Sequence, residues 1–378
     1  MPLGSALEAL IDHRGKTPKK LGGDWSATGH RVVSALNIKN STVDDNEHHY
    51  ISDDLYENWM KIKLQAGDVI LTSEAPTGEV AYLAHDYDWA LGQRVFGLRG
   101  KKDVLDGRFL YYALRGGDLR HDLMSRTTGT TVQGIRQAEL VKVEINLPPL
   151  PEQRAIAATL GALDDKIESN RRAIGTLQQL GDAIFAASSD ESRLLSDVAD
   201  ITMGSSPKGA DLNEDGDGLP FYQGTRDFGF RFPTLRVWTT APVRTAAKND
   251  TLMSVRAPVG ELNRAHADCC IGRGVAAIHS ETHPSTLYYA MRSSTSAWNK
   301  FQGEGTVFAS VNKTDVHGAE VLWVGKQAIL ELEERLHAID VRIESLEEES
   351  RRLAALRNTL LPELLSGRVR ATIEGEPA

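Results

Sequence analysis

Residues 151–185 read PEQRAIAATLGALDDKIESNRRAIGTLQQLGDAIF, and this stretch decides the fold. Apolar side chains recur at Ile156, Leu160, Leu163, Ile167, Ile174, Leu177 and Ile184, in steps built from three and four. Such spacing draws one stripe along a helix and predicts a helix-pairing seam, with Asp165, Lys166, Glu168, Arg171 and Arg172 off it. At 1.5 Å per residue the helix is roughly 50 Å long, too long for one small domain to bury, so it needs a partner. Residues 326–365, KQAILELEERLHAIDVRIESLEEESRRLAALRNTLLPELL, supply one. Here IDVRIES (339–345) matches LDDKIES (163–169), and a second seam runs through Leu332, Leu336, Ile339, Ile343, Leu346, Leu353 and Leu360. Each seam has one polar position, Asn170 and Ser350. Buried, these would align the helices; exposed, they would be solvated notches. Gly161, Gly175 and Gly181 weaken the first helix by up to ~1 kcal/mol each, which implies partners or the close approach of another backbone.

Working outward, an internal repeat covers nearly the whole chain. DVILTSEAPTGEV (68–80) returns as DTLMSVRAPVGEL (250–262), and LYYALR (110–115) as LYYAMR (287–292). Leu91-Gly92 and Val95 match Ile271-Gly272 and Val275; Gly129-Thr130 and Ile135 match Gly305-Thr306 and Val311. Short strands at 69–71, 80–83, 95–98, 252–255 and 275–278 are followed by helices at 108–115, 118–124, 285–293 and 296–301. This order predicts an α+β class. The expected architecture is two repeated globular α/β units separated by two long helices packed as an antiparallel coiled coil, with pseudo-two-fold symmetry. Its boundaries are a first unit at 1–149, a helix at 150–188, a second unit at 189–325, a helix at 326–370 and a tail at 371–378. The segments without a counterpart, 23–63 and 210–248, are where two ligands would be told apart.

The bulk properties bound the function. A chain of 378 residues with 41% hydrophobic and 25% charged residues suits two or three soluble domains. It has no apolar run long enough for a membrane span, no signal-peptide pattern, and only the adjacent Cys269 and Cys270, all of which suit a reducing cytoplasm. A net charge of −9 speaks against a generic nucleic-acid binder. The first 150 residues hold 18 basic and 20 acidic side chains, near enough to balance to permit a local basic face. His48, His49, His266, His279 and His283 form no recognisable ligand spacing, and no metal site is expected. The sequence has no phosphate-binding GxxxxGK[ST] and no Asp/Asn-Pro-Pro-aromatic motif.

Several of these residues carry a family resemblance. Leu147-Pro148-Pro149-Leu150-Pro151-Glu152-Gln153 followed by LDDKIES resembles the central region of specificity subunits of type I restriction–modification systems. Leu360-Leu361-Pro362-Glu363-Leu364-Leu365-Ser366-Gly367 resembles their distal region. Gly129-Thr130-Thr131 and Arg256-Ala257-Pro258-Val259-Gly260 resemble motifs of their target recognition domains. The resemblance implies a non-catalytic subunit that reads a bipartite sequence in double-stranded DNA, one target recognition domain per half-site. It also implies two methyltransferase subunits docked on the helices, and restriction subunits in the full complex. S-adenosylmethionine, ATP and Mg²⁺ would then sit on partners, leaving this chain without a cofactor. The departures are Glu74 where the second copy has Arg256, and Val324-Gly325-Lys326-Gln327 where the Pro-Pro-Glu-Gln entrance would stand. A scaffold built from a duplicated binding module and a coiled-coil rod is the alternative of another class; an enzyme with an unrecognised site is a third.

Base reading requires Arg or Lys for guanine and Asn or Gln for adenine. The candidates in the first unit are Lys19, Lys20, Arg31, Asn37, Lys39, Gln93, Arg94, Thr131, Gln133 and Arg136. In the second they are Lys208, Gln223, Thr225, Arg226, Arg231, Arg256, Arg273, Asn312 and Lys313. The two Ala-Pro-x-Gly-Glu segments are read as strand-to-strand turns, and Tyr111-Tyr112 and Tyr288-Tyr289 as helix-to-sheet packing. Asp164-Asp165 is read as helix surface.

Overall fold

The computed structural model describes residues 1–44, 48–301 and 310–372; Gly305-Thr306 of the repeat and the end of the tail lie outside them. The chain forms two compact units, Met1–Glu168 with Ser350–Ala378, and Ser169–Glu349.

Unit one is built on a four-stranded antiparallel sheet in the order Leu7–Asp12, Val95–Gly100, Val69–Thr72, Val80–Tyr82. Unit two repeats it as Asp200–Met203, Val275–His279, Thr251–Ser254, Leu262–Arg264. The registers match: Val69 lies opposite Leu98 and Thr251 opposite Ile278. The central strands are buried along most of their length because both their faces are covered. Val69 and Leu71 face one core with the helix Gly107–Arg115, while Ile70 faces a second core with Val33, Ile51 and Trp59. Likewise Met253 and Leu252 serve opposite cores in unit two.

That second core lies under the divergent segments. In unit one it holds a three-stranded sheet, Tyr50–Ile51, His30–Val33 and Ala90–Leu91; in unit two a five-stranded sheet surrounds Leu219–Tyr222. Each keeps one parallel pair, Val32 against Ala90 and Phe221 against Cys270, so a common framework bears different decoration. The outer strands Leu7–Asp12 and Asp200–Met203 went unread in the sequence, since they carry charged residues and pair only across long separations.

The long helices span Leu150–Ser188 and Ile329–Leu365. The second begins three residues later than the sequence suggests, because Gly325 to Ala328 forms a turn closed by the Ala328 N–H on the Gly325 carbonyl. Residues 296–301 are a 3₁₀ rather than an α-helical turn. Within unit one, Ile156 and Leu160 share a core with Leu361 and Leu364, and Asp164 pairs with Arg357. Within unit two, Ile174 packs with Ile339, Ile343 and Leu346, while Phe185 shares a core with Leu332 and Leu336. In both, rising numbers on one helix meet falling numbers on the other, so the pairing is antiparallel. Of the seam residues, Leu163, Ile167, Leu177, Ile184, Leu353 and Leu360 are only half-buried. Asn170 is buried and donates to the Leu346 carbonyl (3.4 Å) and the Glu349 carboxylate (2.8 Å), which makes it an alignment device and no solvated notch.

Two expectations differ from the structure. Asp164 is no helix surface: it accepts from the Tyr112 hydroxyl (2.7 Å) and pairs with Arg115 (3.0 Å) and Arg357 (2.5 Å). The glycines admit side chains rather than backbone. A Cβ at Gly161 would sit 2.5 Å from the Arg108 guanidinium, and one at Gly181 would sit 2.4 Å from the Tyr289 ring. Nothing approaches Gly175. Gln153 of the Pro-Glu-Gln entrance is a buried clamp, donating to the Val104 and Pro148 carbonyls (2.9 Å each) and accepting from the Asp106 N–H (3.0 Å).

No helix among the described residues is long and apolar enough to cross a membrane. Cys269 and Cys270 are buried free thiols, and burial pushes the Cys269 thiol up to about 12, far from a reactive thiolate.

Candidate nucleic-acid interface

At one end of each four-stranded sheet three turns converge. In unit one these are the hairpin turn after Thr72, the turn at Gln93-Arg94 and the loop before the helix Gln137–Leu140. Backbone bonds lace them together: Ser73 donates to the Arg94 carbonyl, Ile135 donates to the Ser73 carbonyl, and Glu74 bridges Gly134. Thr77 adds a hydroxyl bond to the Gln133 carbonyl (2.6 Å). In unit two Val255 donates to the Gly274 carbonyl, Val311 donates to the Val255 carbonyl, and Arg256 bridges Ser310. The turns match position by position, so Glu74 stands for Arg256, Gln93 for Arg273, and Arg136 for Asn312.

The rims gather Gln93, Arg94, Gln133 and Arg136 in unit one, with Thr131 exposed on the same loop. Arg94 holds a left-handed backbone (φ +63°) where unit two has Gly274, a conformation costing about 1 kcal/mol for a residue with a side chain. Such strain at a half-buried rim arginine is characteristic of positions kept for contact. In unit two Gln223, Thr225, Arg226 and Arg256 line one cleft of about 350 Å³ together with Arg236. Arg273 stands next to its lining residue Gly274, and Ser206, two residues from Lys208, accepts from the Arg273 N–H (3.3 Å). Gly274 is obligatory, since a Cβ there would lie 2.2 Å from the Gln223 carbonyl oxygen.

Among the described residues no carboxylate pairs with Arg94, Arg136, Lys208, Arg226, Arg256, Arg273 or Lys313. Elsewhere arginines are mostly neutralised, as in Arg99–Asp68 (2.8 Å), Arg126–Asp122 (2.8 Å) and Arg292–Asp182 (2.8 Å). A chain of net charge −9 therefore keeps uncompensated cations on these rims, where a polyanion can reach them.

Other candidates stand apart. Arg31 is 7% exposed, bonded to the Asp44 carbonyl and lying 5.3 Å from the Trp89 ring; it belongs to the core and has no open edge. Asn37 is buried in a capping box with Ser34. Arg231 is 1% exposed and ion-paired with Asp340. Asn312 caps the helix Lys313–His317, accepting from the Asp315 N–H (3.0 Å), so its amide oxygen is already used. Lys39 pairs with Asp44 (2.9 Å), and Lys20 donates to the Gly15 carbonyl (2.8 Å). Lys19 is exposed in a 3₁₀ turn. Arg236 was missed: it pairs with Asp227 (3.2 Å) at the cleft, and nothing in its local sequence, PTLRVW, marks it.

His266 also has company that spacing hid. It faces Glu344 (3.7 Å) and Glu348 (3.9 Å), which project from one helix face at i and i+4. Lys248 lies 2.6 Å from Glu344, and the two ring nitrogens face different carboxylates.

Comparison with known proteins bears on these rims. Residues 3–179 match the family model described as type I restriction modification DNA specificity domain. A putative type I restriction enzyme MjaX specificity subunit from Methanocaldococcus jannaschii is 27% identical over 372 residues, covering 90% of this chain and 88% of that one. The EcoKI specificity subunit of Escherichia coli K12 is 23% identical over 153 residues, 39% of this chain and 32% of that one. The crystal structure of a type I restriction-modification S subunit from M. genitalium aligns with TM-score 0.58 at 19% identity, covering 96% of this chain and 95% of that one, which shows a shared fold.

Proposed function

We propose that this chain, which carries a type I restriction modification DNA specificity domain over residues 3–179 and is similar along most of its length to specificity subunits, is the DNA-reading subunit of such a system. Each unit reads one half of a bipartite duplex sequence, and the long helices serve as spacer and as docking surface for two methyltransferase subunits. Restriction subunits join the same assembly. The chain itself is non-catalytic, and S-adenosylmethionine, ATP and Mg²⁺ belong to its partners. The target base is then flipped and methylated by the partner, since chemistry on a base requires taking it out of the stack.

The observation that carries this reading is the duplicated rim: one three-turn framework built twice, bearing unpaired guanidiniums and amides that differ between copies. Guanidiniums and amides are the groups that read guanine and adenine edges, and unpaired cations supply the phosphate contacts that position them.

The test is a methylome of a host expressing the methyltransferase partner, with and without this gene. One bipartite methylation mark should vanish without it; an unchanged methylome overturns the reading. In the purified complex, Arg256→Ala should weaken duplex binding. If Arg256 contacts a phosphate, the slope of log affinity against log salt should fall by about 0.9. If it reads a base, one position of a single half-site should relax instead.

A further inference from the structure

Residues 223–237 carry Gln223, Thr225, Arg226 and Arg236 around the cleft, yet their only regular element is the 3₁₀ turn Thr225–Asp227. Side-chain anchors replace secondary structure here. Asp227 accepts from the Gln223 N–H (2.8 Å) and pairs with Arg236 (3.2 Å), while Asn263 brackets Gly229 (3.0 and 2.9 Å). The deepest anchor is Arg231. Its guanidinium lies 3.6 Å from the Tyr288 ring centre and is bonded to Asp340 of the second long helix. Arg264 binds the other oxygen of Asp340, and its N–H donates to the Arg231 carbonyl (2.9 Å), so backbone and side chain are held at one point.

The matching carboxylate of unit one, Asp164, is wired differently. Its partners Tyr112, Arg115 and Arg357 all lie outside the divergent segment 23–63. Contact with that segment is relayed from Arg115 to the Tyr111 hydroxyl (3.0 Å), and from that hydroxyl to the Ser41 carbonyl (3.3 Å).

We propose that Asp340 is a positioning residue for base reading by unit two, acting through Arg231 on the loop that bears the reading side chains. The inference rests on the DNA-reading function proposed above and deepens it. Base edges are read by bonds that tolerate little displacement, whereas phosphate contacts are forgiving. Loosening the loop should therefore cost discrimination and leave affinity for arbitrary duplex intact.

The test uses the full chain in complex with its methyltransferase subunits and reads the methylated sequences together with affinity for a duplex lacking the site. If the wild-type complex makes no bipartite mark, the proposed function falls, whatever Asp340 does. With the mark present, Asp340→Asn should lower discrimination at one half-site by about tenfold, the scale of losing one well-aligned base contact. The other half-site and the non-specific affinity should stay unchanged, and Arg231→Lys should give an intermediate loss. Asp164→Asn should leave both half-sites as they were. Full discrimination in folded Asp340→Asn, or equal relaxation of both half-sites, overturns the proposal. Should Asp340→Asn fail to fold, the charge-free combination Arg231→Met, Arg264→Met, Asp340→Leu replaces the ionic cluster with apolar volume, and Arg231→Lys keeps the charge pair. Relaxed reading at one half-site by either folded variant supports the proposal, and unaltered reading by both overturns it.

Discussion

The two units share strand order, register and turn framework, yet at matched positions they carry different chemistry. Glu74 corresponds to Arg256, Gln93 to Arg273 and Arg136 to Asn312, and the strand pair Asp68–Arg99 (2.8 Å) of one is Asp250–His279 (2.6 Å) in the other. Both cores are built around the same apolar pattern, so a substitution there disturbs many neighbours. A rim residue touches few, and it can change from acid to base without unfolding anything. A duplicated protein can thereby keep one scaffold and read two sequences.

The largest expected contrast lies at the matched carboxylates. Asp340→Ala strands two buried guanidiniums and should cost about 3–5 kcal/mol. Asp164→Ala leaves Arg115 and Arg357 partly reachable by water and should cost about 2 kcal/mol. Denaturant midpoints of the two variants measure this, and equal losses would break the comparison.

Next come the helix glycines. Gly181→Ala drives a methyl into the Tyr289 ring, whose hydroxyl is itself bonded to Asp340 (3.2 Å), and should cost about 1–3 kcal/mol. Gly161→Ala meets the end of a flexible Arg108 side chain and should cost less. Gly175→Ala meets nothing and should stabilise the helix by up to ~1 kcal/mol. Thermal melts of the three should rank in that order.

The smallest effect concerns pH. Burial raises the Asp250 carboxyl above its ordinary value, against the opposing pull of His279 and the Ala247 N–H. Its proton is then held more tightly in the folded than in the unfolded chain. That stability is complete below the ordinary carboxylate pKa and is lost as pH rises through the raised folded value. His279→Arg installs the partner that Asp68 has in Arg99. It should remove the loss, so the variant gains on wild type, by about 1 kcal/mol at most, once the pH is above that window. Melting temperature against pH checks it; parallel curves would sink the argument.

Much of this was legible in the residues. The seam from Ile156 to Leu177 declared a long paired helix, because only a helix puts steps of three and four on one stripe. The repeated Ala-Pro-x-Gly-Glu segments declared a hairpin built twice. The outer strands Leu7–Asp12 and Asp200–Met203 were not legible, since their partners lie some eighty residues away (Asp12 opposite Phe96) and their own pattern is weak. Among the site residues, Gln93, Arg94, Gln223 and Arg226 could be named from flanking glycines, but Arg236 could not.

What the sequence determined by itself was periodicity and repetition: fold class, antiparallel helix pairing, duplication and the absence of known catalytic motifs. These are local or self-comparing properties, readable without knowing what meets what. Only the tertiary structure decided which charges are spent. Arg31 and Arg231 look like readers on paper and are buried in space, whereas Asp164 looks like helix surface and is a hub. Whether a charged side chain faces water or a buried partner depends on contacts far away along the chain, and no local pattern encodes them.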